Sequence, residues 1–336
     1  MQEQEIQEKL AKLPLVAAEI GKVIVGQTHI VDELLISVLA GGHCLLEGVP
    51  GLAKTLMVST LAQSLDLGFR RVQFTPDLMP SDIIGTEILE EDHVSGKRFF
   101  KFQQGPVFTN ILLADEINRT PPKTQAALLE AMQEKRISYA GEVYDLPRPF
   151  FVLATQNPVE QAGTYPLPEA QLDRFLMFIR VSYPTEQEEV EILARTTGNQ
   201  EVELNTVLNA DDMITLQKLV REVEISAALL AYIARVVRAS RPVKNSNSDE
   251  TNDMVTEYVR WGSGPRAGQS LVMCAKAHAL MRGHFAVTMD DIRFVAHAVL
   301  RHRILLNFQA EASGITTEDV IDSLFKQVKL PISPLD

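Results

Sequence analysis

Phosphate chemistry is written into the run Gly48-Val49-Pro50-Gly51-Leu52-Ala53-Lys54-Thr55 and its neighbour Leu56. An apolar stretch, His43 to Glu47, precedes it, and an amphipathic stretch, Leu56 to Leu65, follows. A strand, a glycine-containing loop and a helix start form the setting in which backbone N–H groups cradle phosphate oxygens. The helix N-terminus adds partial positive charge. Lys54 would reach the outer phosphates and the Thr55 hydroxyl would hold Mg²⁺. The usual G-x-x-x-x-G-K-[ST] spacing is broken once, by Ala53 at the second glycine position. Gly51, two residues earlier, is expected to supply the flexibility instead.

A second polar group lies about 60 residues on, where the apolar run Ile111-Leu112-Leu113-Ala114 ends in Asp115-Glu116. Asp115 can hold the divalent ion opposite Thr55, and Glu116 can polarise a water for attack on the γ-phosphorus. Asn157 ends the next apolar run, in Ala154-Thr155-Gln156-Asn157-Pro158, and its amide can orient that water. Two arginines are candidates for stabilising charge on the γ-oxygens. Arg174 precedes the apolar run Phe175 to Ile179, and Arg266 follows Pro265, which favours a first helical turn.

These residues need a scaffold, and the hydrophobic pattern supplies one. Short apolar runs at 71–74, 111–114, 150–154 and 175–179 read as buried strands, with helical periodicity between several of them. Such alternation predicts a three-layer α/β domain with a mainly parallel sheet, binding its ligand at the carboxyl ends of the strands. Residues 3–21 read as a helix, and after a break at Val23 to Gln27 a second helix follows, with Ile30, Leu34, Leu35, Val38 and Leu39 at helical spacing and Gly41-Gly42 as its stop ahead of the first strand. Two interruptions are expected, at 75–110 with a hairpin turn at Ser95-Gly96, and at 135–147 with a turn at Ala140-Gly141. From Pro184 helical spacing dominates, through 186–195, 211–221, 227–240, 267–281, 289–300 and 317–328, with a polar loop at 245–253. The division is therefore a nucleotide-binding core at 1–183 and a helical domain at 184–336.

Composition narrows the class. The chain has 336 residues, of which 46% are hydrophobic and 23% charged, and a formal charge of −12. An acidic balance weighs against a protein that grips a phosphate backbone, where Lys and Arg dominate. No apolar run approaches the roughly 18 residues of a membrane span, so no membrane insertion is expected. Two distant cysteines and a polar, acidic start suggest a reducing cytosol.

Taken in order, the segments Glu47–Gly51, Leu113–Arg119, Ala154–Pro158 and Tyr165–Phe175 resemble the MoxR family of AAA+ ATPases, over roughly residues 20–310. The resemblance implies a P-loop core followed by an all-helical lid, with ATP and Mg²⁺ as ligands. It implies that Val25, Gly26 and Gln27 border the nucleobase and that Asn157 is the first sensor. Arg174 becomes the arginine finger and Arg266 the second sensor. The 75–110 segment resembles the helix-2 insert of this clade, entered through Asp77 to Asp82, and the 135–147 hairpin resembles its pre-sensor-1 hairpin. Ala53 agrees with the family's own loop. The resemblance also implies a ring, commonly hexameric, that remodels client proteins, often ones bearing von Willebrand factor A domains. Two alternatives are a nucleic-acid-stimulated motor and a nucleotide-gated scaffold with little turnover. His278, His284, His297 and His302 lack the i, i+4 spacing of paired metal ligands, and Ser270 lacks a nucleophile elbow.

Overall fold

The structure, a computed structural model, describes residues 3–49, 51–91, 98–158, 163–198, 202–242 and 253–330. Pro50, the Ser95-Gly96 turn and residues 245–252 of the polar loop lie outside the described residues. The chain begins with α1 (Glu3–Val23), α2 (Thr28–Ala40), β1 (Cys44–Glu47) and α3 (Lys54–Ser64). It continues through β2 (Phe69–Gln73), α4 (Pro80–Ile84), β3 (Gly85–Glu91), β4 (Arg98–Gln104), β5 (Ile111–Asp115) and α5 (Pro122–Glu134). Then come β6 (Arg136–Tyr139), β7 (Glu142–Asp145), β8 (Phe151–Gln156), α6 (Glu169–Leu172) and β9 (Met177–Arg180).

Among the described residues β2, β5, β8, β1 and β9 lie side by side in that order, every pair parallel. Side chains alternate across a strand, and both faces are used. Leu45, Leu112, Val152 and Phe178 join an apolar cluster with α5, while Leu46, Leu113, Leu153 and Ile179 join another with α1, α2 and α3. Burial on both faces explains why these strands read as continuous apolar runs. β2 differs from the expectation of a buried strand. Val72 is buried, but Arg70, Arg71 and Gln73 are exposed, because β2 is an edge of the sheet.

The two interruptions are antiparallel hairpins, β3–β4 and β6–β7. The second turns at Ala140 (φ 50°) and Gly141 (φ 86°), the consecutive left-handed pair that matches the twist of a tight hairpin.

Beyond β9 the chain forms α7 (Glu186–Thr196), α8 (Ala210–Glu222), α9 (Ala227–Ala239), α10 (Asp253–Tyr258), β10 (Val259–Trp261), α11 (Pro265–Met281), α12 (Met289–Leu300), β11 (Leu305–Leu306), α13 (Phe308–Ala312) and α14 (Thr317–Gln327). Asp253, expected in the polar loop, opens α10 instead. α7, α8, α12 and α14 each start with a reciprocal capping box, from Thr185/Glu188 to Thr316/Asp319, which satisfies N-terminal donors locally. α8 and α11 pack on α2, and α12 packs on β9, so one apolar cluster runs from Leu10 to Leu324. The large sheet ends at Arg180, whereas the hydrophobic core continues into the helices that follow.

Candidate functional site

Because the sheet strands are parallel, their carboxyl ends share one rim. β1 delivers the phosphate loop there, β5 delivers Asp115 and Glu116, and β8 delivers Asn157. The Lys54 ammonium donates to the Gly48 carbonyl at 2.6 Å. Burial lowers its pKa from the usual value, and the charges of Asp115 and Glu116 oppose that shift. Thr55 and Leu56 occupy the first turn of α3, and Ala53 is its N-cap. Gly51 (φ 88°) is left-handed, as expected, but Ala53 (φ 53°) is left-handed too. Gly51 therefore does not relieve position 53; the alanine holds a conformation that costs an L-residue about 1 kcal/mol.

Asp115 is engaged on both oxygens. Thr155 Oγ1 donates to Oδ1 at 2.6 Å, and Arg71 donates to Oδ2 through Nε at 3.1 Å and Nη2 at 2.6 Å. The Thr155 hydroxyl also accepts the Glu116 backbone N–H at 2.8 Å, so one side chain aligns both acids. Glu116 is itself left-handed (φ 56°), a conformation that persists where the surroundings hold it. Its Oε2 accepts from Gln73 Nε2 and Arg119 Nη1, each at 2.8 Å. Asn157 is buried next along the rim. Thr155, Arg71, Gln73 and Arg119 were not among the residues singled out from sequence. Thr155 lay inside a recognised motif, and Arg71 and Gln73 were polar residues in a run read as buried.

Val25, Gly26 and Gln27 form the corner between α1 and α2. Gly26 and Gln27 have φ of 65° and 53°. A Cβ on Gly26 would lie 2.0 Å from Glu188 Oε1, the end of a flexible side chain that can move aside, so it is the left-handed backbone that favours glycine there. Gln27 Oε1 is buried without a hydrogen-bond partner. Such an atom suits a ligand that brings an N–H, as the exocyclic amine of adenine does. On the rim the donor set is a lysine, a helix N-terminus, a hydroxyl and carboxylates, which fits polyphosphate with a hard divalent cation.

Arg174 and Arg266 are not brought to this rim. They line one cavity with Gly42, His43, Asp173 and Arg303, at the amino end of β1. His43 to Gly48 spans about 16 Å along a strand, so neither guanidinium stands beside Lys54 of its own chain. Arg174 Nη1 donates to the Leu129 carbonyl at 3.3 Å, and Arg266 Nη1 lies 3.8 Å from Asp173 Oδ2. The loop carrying Arg174 is fastened by Arg303, another residue the motifs did not reveal. Arg303 is buried and donates to Asp173 Oδ1 at 2.8 Å, the Leu176 carbonyl at 3.1 Å and the Phe175 carbonyl at 2.7 Å. Burial lowers its pKa from the usual guanidinium value, and Asp173 acts against that.

The four histidines have separate surroundings. His278 Nδ1 meets Asp291 at 2.7 Å and stacks on Phe294, His297 meets Asp322, and His302 meets the Phe175 carbonyl. His284 lies in the turn after α11, where its backbone N–H bonds the Ala279 carbonyl. Ser270 faces Arg303 Nη2 at 3.2 Å. No helix of the described residues is long and apolar enough to cross a membrane.

A family model described as the ATPase family associated with various cellular activities (AAA) matches residues 43–177, and an AAA lid domain model matches 251–324. The chain is 44% identical over 313 residues to Chaperone MoxR1 of Mycobacterium tuberculosis, covering 93% of this chain and 81% of that protein. It is 31% identical over 328 residues to Protein MoxR of Paracoccus denitrificans, covering 94% and 95%. A crystal structure from Cytophaga hutchinsonii, of a protein proposed to be an ATPase, shares 44% identity with a TM-score of 0.89, covering 97% of each chain. At 44% and 31% identity over more than nine-tenths of its length, and with the AAA model matched ahead of the lid model, the chain belongs to the MoxR family of AAA+ ATPases.

Proposed function

We propose that this protein is a Mg²⁺-dependent ATPase whose hydrolysis cycle drives the remodelling, maturation or activation of partner protein complexes in the cytosol. Residues 1–183 hold the nucleotide and residues 184–336 form the lid. The observation that carries this reading is the gathering of Lys54, Asp115, Glu116 and Asn157 on one rim of a parallel sheet. Loop amides from Gly48 to Thr55 bind the phosphates, and Val25, Gly26 and Gln27 border the adenine. Thr55 and Asp115 would hold Mg²⁺, which would neutralise charge on the phosphate oxygens. Glu116 takes a proton from the attacking water, and Asn157 orients that water. The naming of a relative as a chaperone supports a protein client, and a von Willebrand factor A domain is the client we would test first.

The separation of Arg174 and Arg266 from the chain's own loop supports a ring, hexameric in this reading, in which a neighbour completes each site. A repeated head-to-tail contact that closes gives such a ring. Calorimetry in magnesium buffer is expected to show ATP uptake by the intact protein. Lys54→Ala is expected to weaken it by about thirtyfold or more, the consequence of removing a partner from a desolvated charge. Equal affinity for the two proteins would overturn the assignment.

Arg71 competes for the carboxylate that the metal needs. Its side chain is about half exposed (47%), so the pair is weak, on the order of 0.2–1 kcal/mol. Arg71→Ala is expected to lower the Mg²⁺ concentration for half-maximal turnover by roughly two- to fivefold. A magnesium titration of phosphate release measures this, and a shift to higher concentration would mean that Arg71 assists the ion.

A further inference from the structure

α7 buries none of its residues, although its sequence is amphipathic. Val190 and Leu193 are each 62% exposed, and Tyr183 just ahead of the helix is 70% exposed. Positions 186, 189, 190 and 193 fall on one side of a helix, so an acidic end, Glu186 and Glu189, continues into an aliphatic stripe. The other side of α7 is tied to the nucleotide corner. Glu188 lies against Gly26, and Arg195 Nη1 donates to the Gly21 and Lys22 carbonyls at 3.2 and 3.3 Å. α7 therefore stands beside the proposed adenine cradle, with the exposed stripe on its outward side.

A groove of opposite character lies between α9 and α11, with a volume of about 630 Å³. Leu230, Val237, Gly268 and Val272 give it apolar walls, and Arg238 and Arg241 supply cationic groups. Gly268 keeps it open: the nearest atoms to a Cβ there are the Ile233 and Val237 methyls at 3.8 Å. Gln269 lines both this groove and the cavity of Arg174 and Arg266. One surface thus adjoins the phosphate-loop rim and the other adjoins the arginine end.

We propose that the exposed face of α7 in one copy seats in the α9–α11 groove of the next copy. Val190 and Leu193 enter the apolar floor, and Glu186 and Glu189 face Arg238 and Arg241. The proposal rests on the reading that a neighbour's Arg174 and Arg266 complete each nucleotide site, because that geometry turns the arginine end of one copy toward the phosphate-loop rim of the next. A helix face laid in a groove is a common recognition mode, and the charges have the right signs. The two surfaces differ, so the contact is head-to-tail and can repeat around a ring. α7 then joins the adenine corner of one copy to the lid helix that carries the arginine of another, so nucleotide contact and subunit contact are linked.

The test uses charge reversal and sedimentation of the full chain in MgATP. Wild-type protein is expected to assemble. Arg238→Glu alone and Glu189→Arg alone are each expected to require roughly tenfold more protein, or higher, for assembly, because each sets like charges against one another at every contact. Mixing the two variants is expected to restore assembly. In an alternating ring every junction then joins either two native side chains or two reversed ones, opposite in sign both times, and this rescue cannot come from misfolded chains. Single variants that assemble like wild type, or a mixture that fails to recover, would overturn the α7 contact while leaving the ring intact. Wild-type protein that stays monomeric in MgATP would instead sink the ring reading, and the contact with it.

Discussion

Replacing Glu116 with Gln is expected to leave ATP affinity within a few-fold of wild type and to lower steady-state turnover by about 10²–10⁴-fold, the range for losing a general base. The substitution keeps the shape and removes the proton acceptor. The backbone there does not depend on the carboxylate, since the left-handed turn at 116 is held by the main-chain bond to Thr155 Oγ1 at 2.8 Å. A glutamine can still accept from Arg119 and from Gln73, so the local network survives. In the proposed function binding belongs to Lys54 and the loop amides, which the change does not touch. Calorimetry paired with phosphate release distinguishes the two effects. Turnover above half of wild type would show that another group accepts the proton.

The sequence carried the site's backbone positions further than its side-chain network. Leu112, Val152 and Phe178 sit on strands buried on both faces, so their runs were unbroken and their carboxyl ends could be counted off to Asp115, Glu116 and Asn157. A parallel sheet does the rest, because all its strands end on one rim. The partners of those acids were harder to find. Arg71 and Gln73 act from β2 across to β5, at a register of Arg71↔Leu113 and Gln73↔Asp115 that only strand pairing defines. An edge strand also has no continuous apolar signature to distinguish a polar residue with a task from one that is merely solvated. Arg303 was invisible for a related reason. It lies 130 residues from Asp173 in sequence and reaches it only because α12 packs on β9. The position of Arg266 illustrates the same limit: Pro265 announced a helix start, but which end of the sheet that helix faces depends on tertiary packing.

That placement leads to the other large effect. Arg174→Ala is expected to reduce turnover by about 10³–10⁵-fold, the contribution of a guanidinium supplied to a phosphoryl-transfer site. Arg174 lies at the amino end of β1 in the cavity with Gly42 and His43, whereas Lys54 follows the carboxyl end. A site served by the neighbour's arginine makes a prediction that a self-contained site does not. Arg174→Ala subunits keep a complete loop, metal site and base but offer no arginine. Glu116→Gln subunits offer an arginine but cannot turn over ATP. Each preparation alone is expected to keep no more than about a hundredth of wild-type turnover. In a random equal mixture half of the subunits are Arg174→Ala, and half of those have a Glu116→Gln neighbour on the donating side. Roughly a quarter of all sites are then complete, and about that share of wild-type activity should return if the contact is head-to-tail. If Arg174 instead served its own chain, no mixture would contain a working site and activity would stay at the level of the separate variants. Arg266→Ala in place of Arg174→Ala asks the same question of the second arginine. Because Asp173 lies between Arg266 and Arg303, rescue there would also show that the lid helix donates across the subunit boundary.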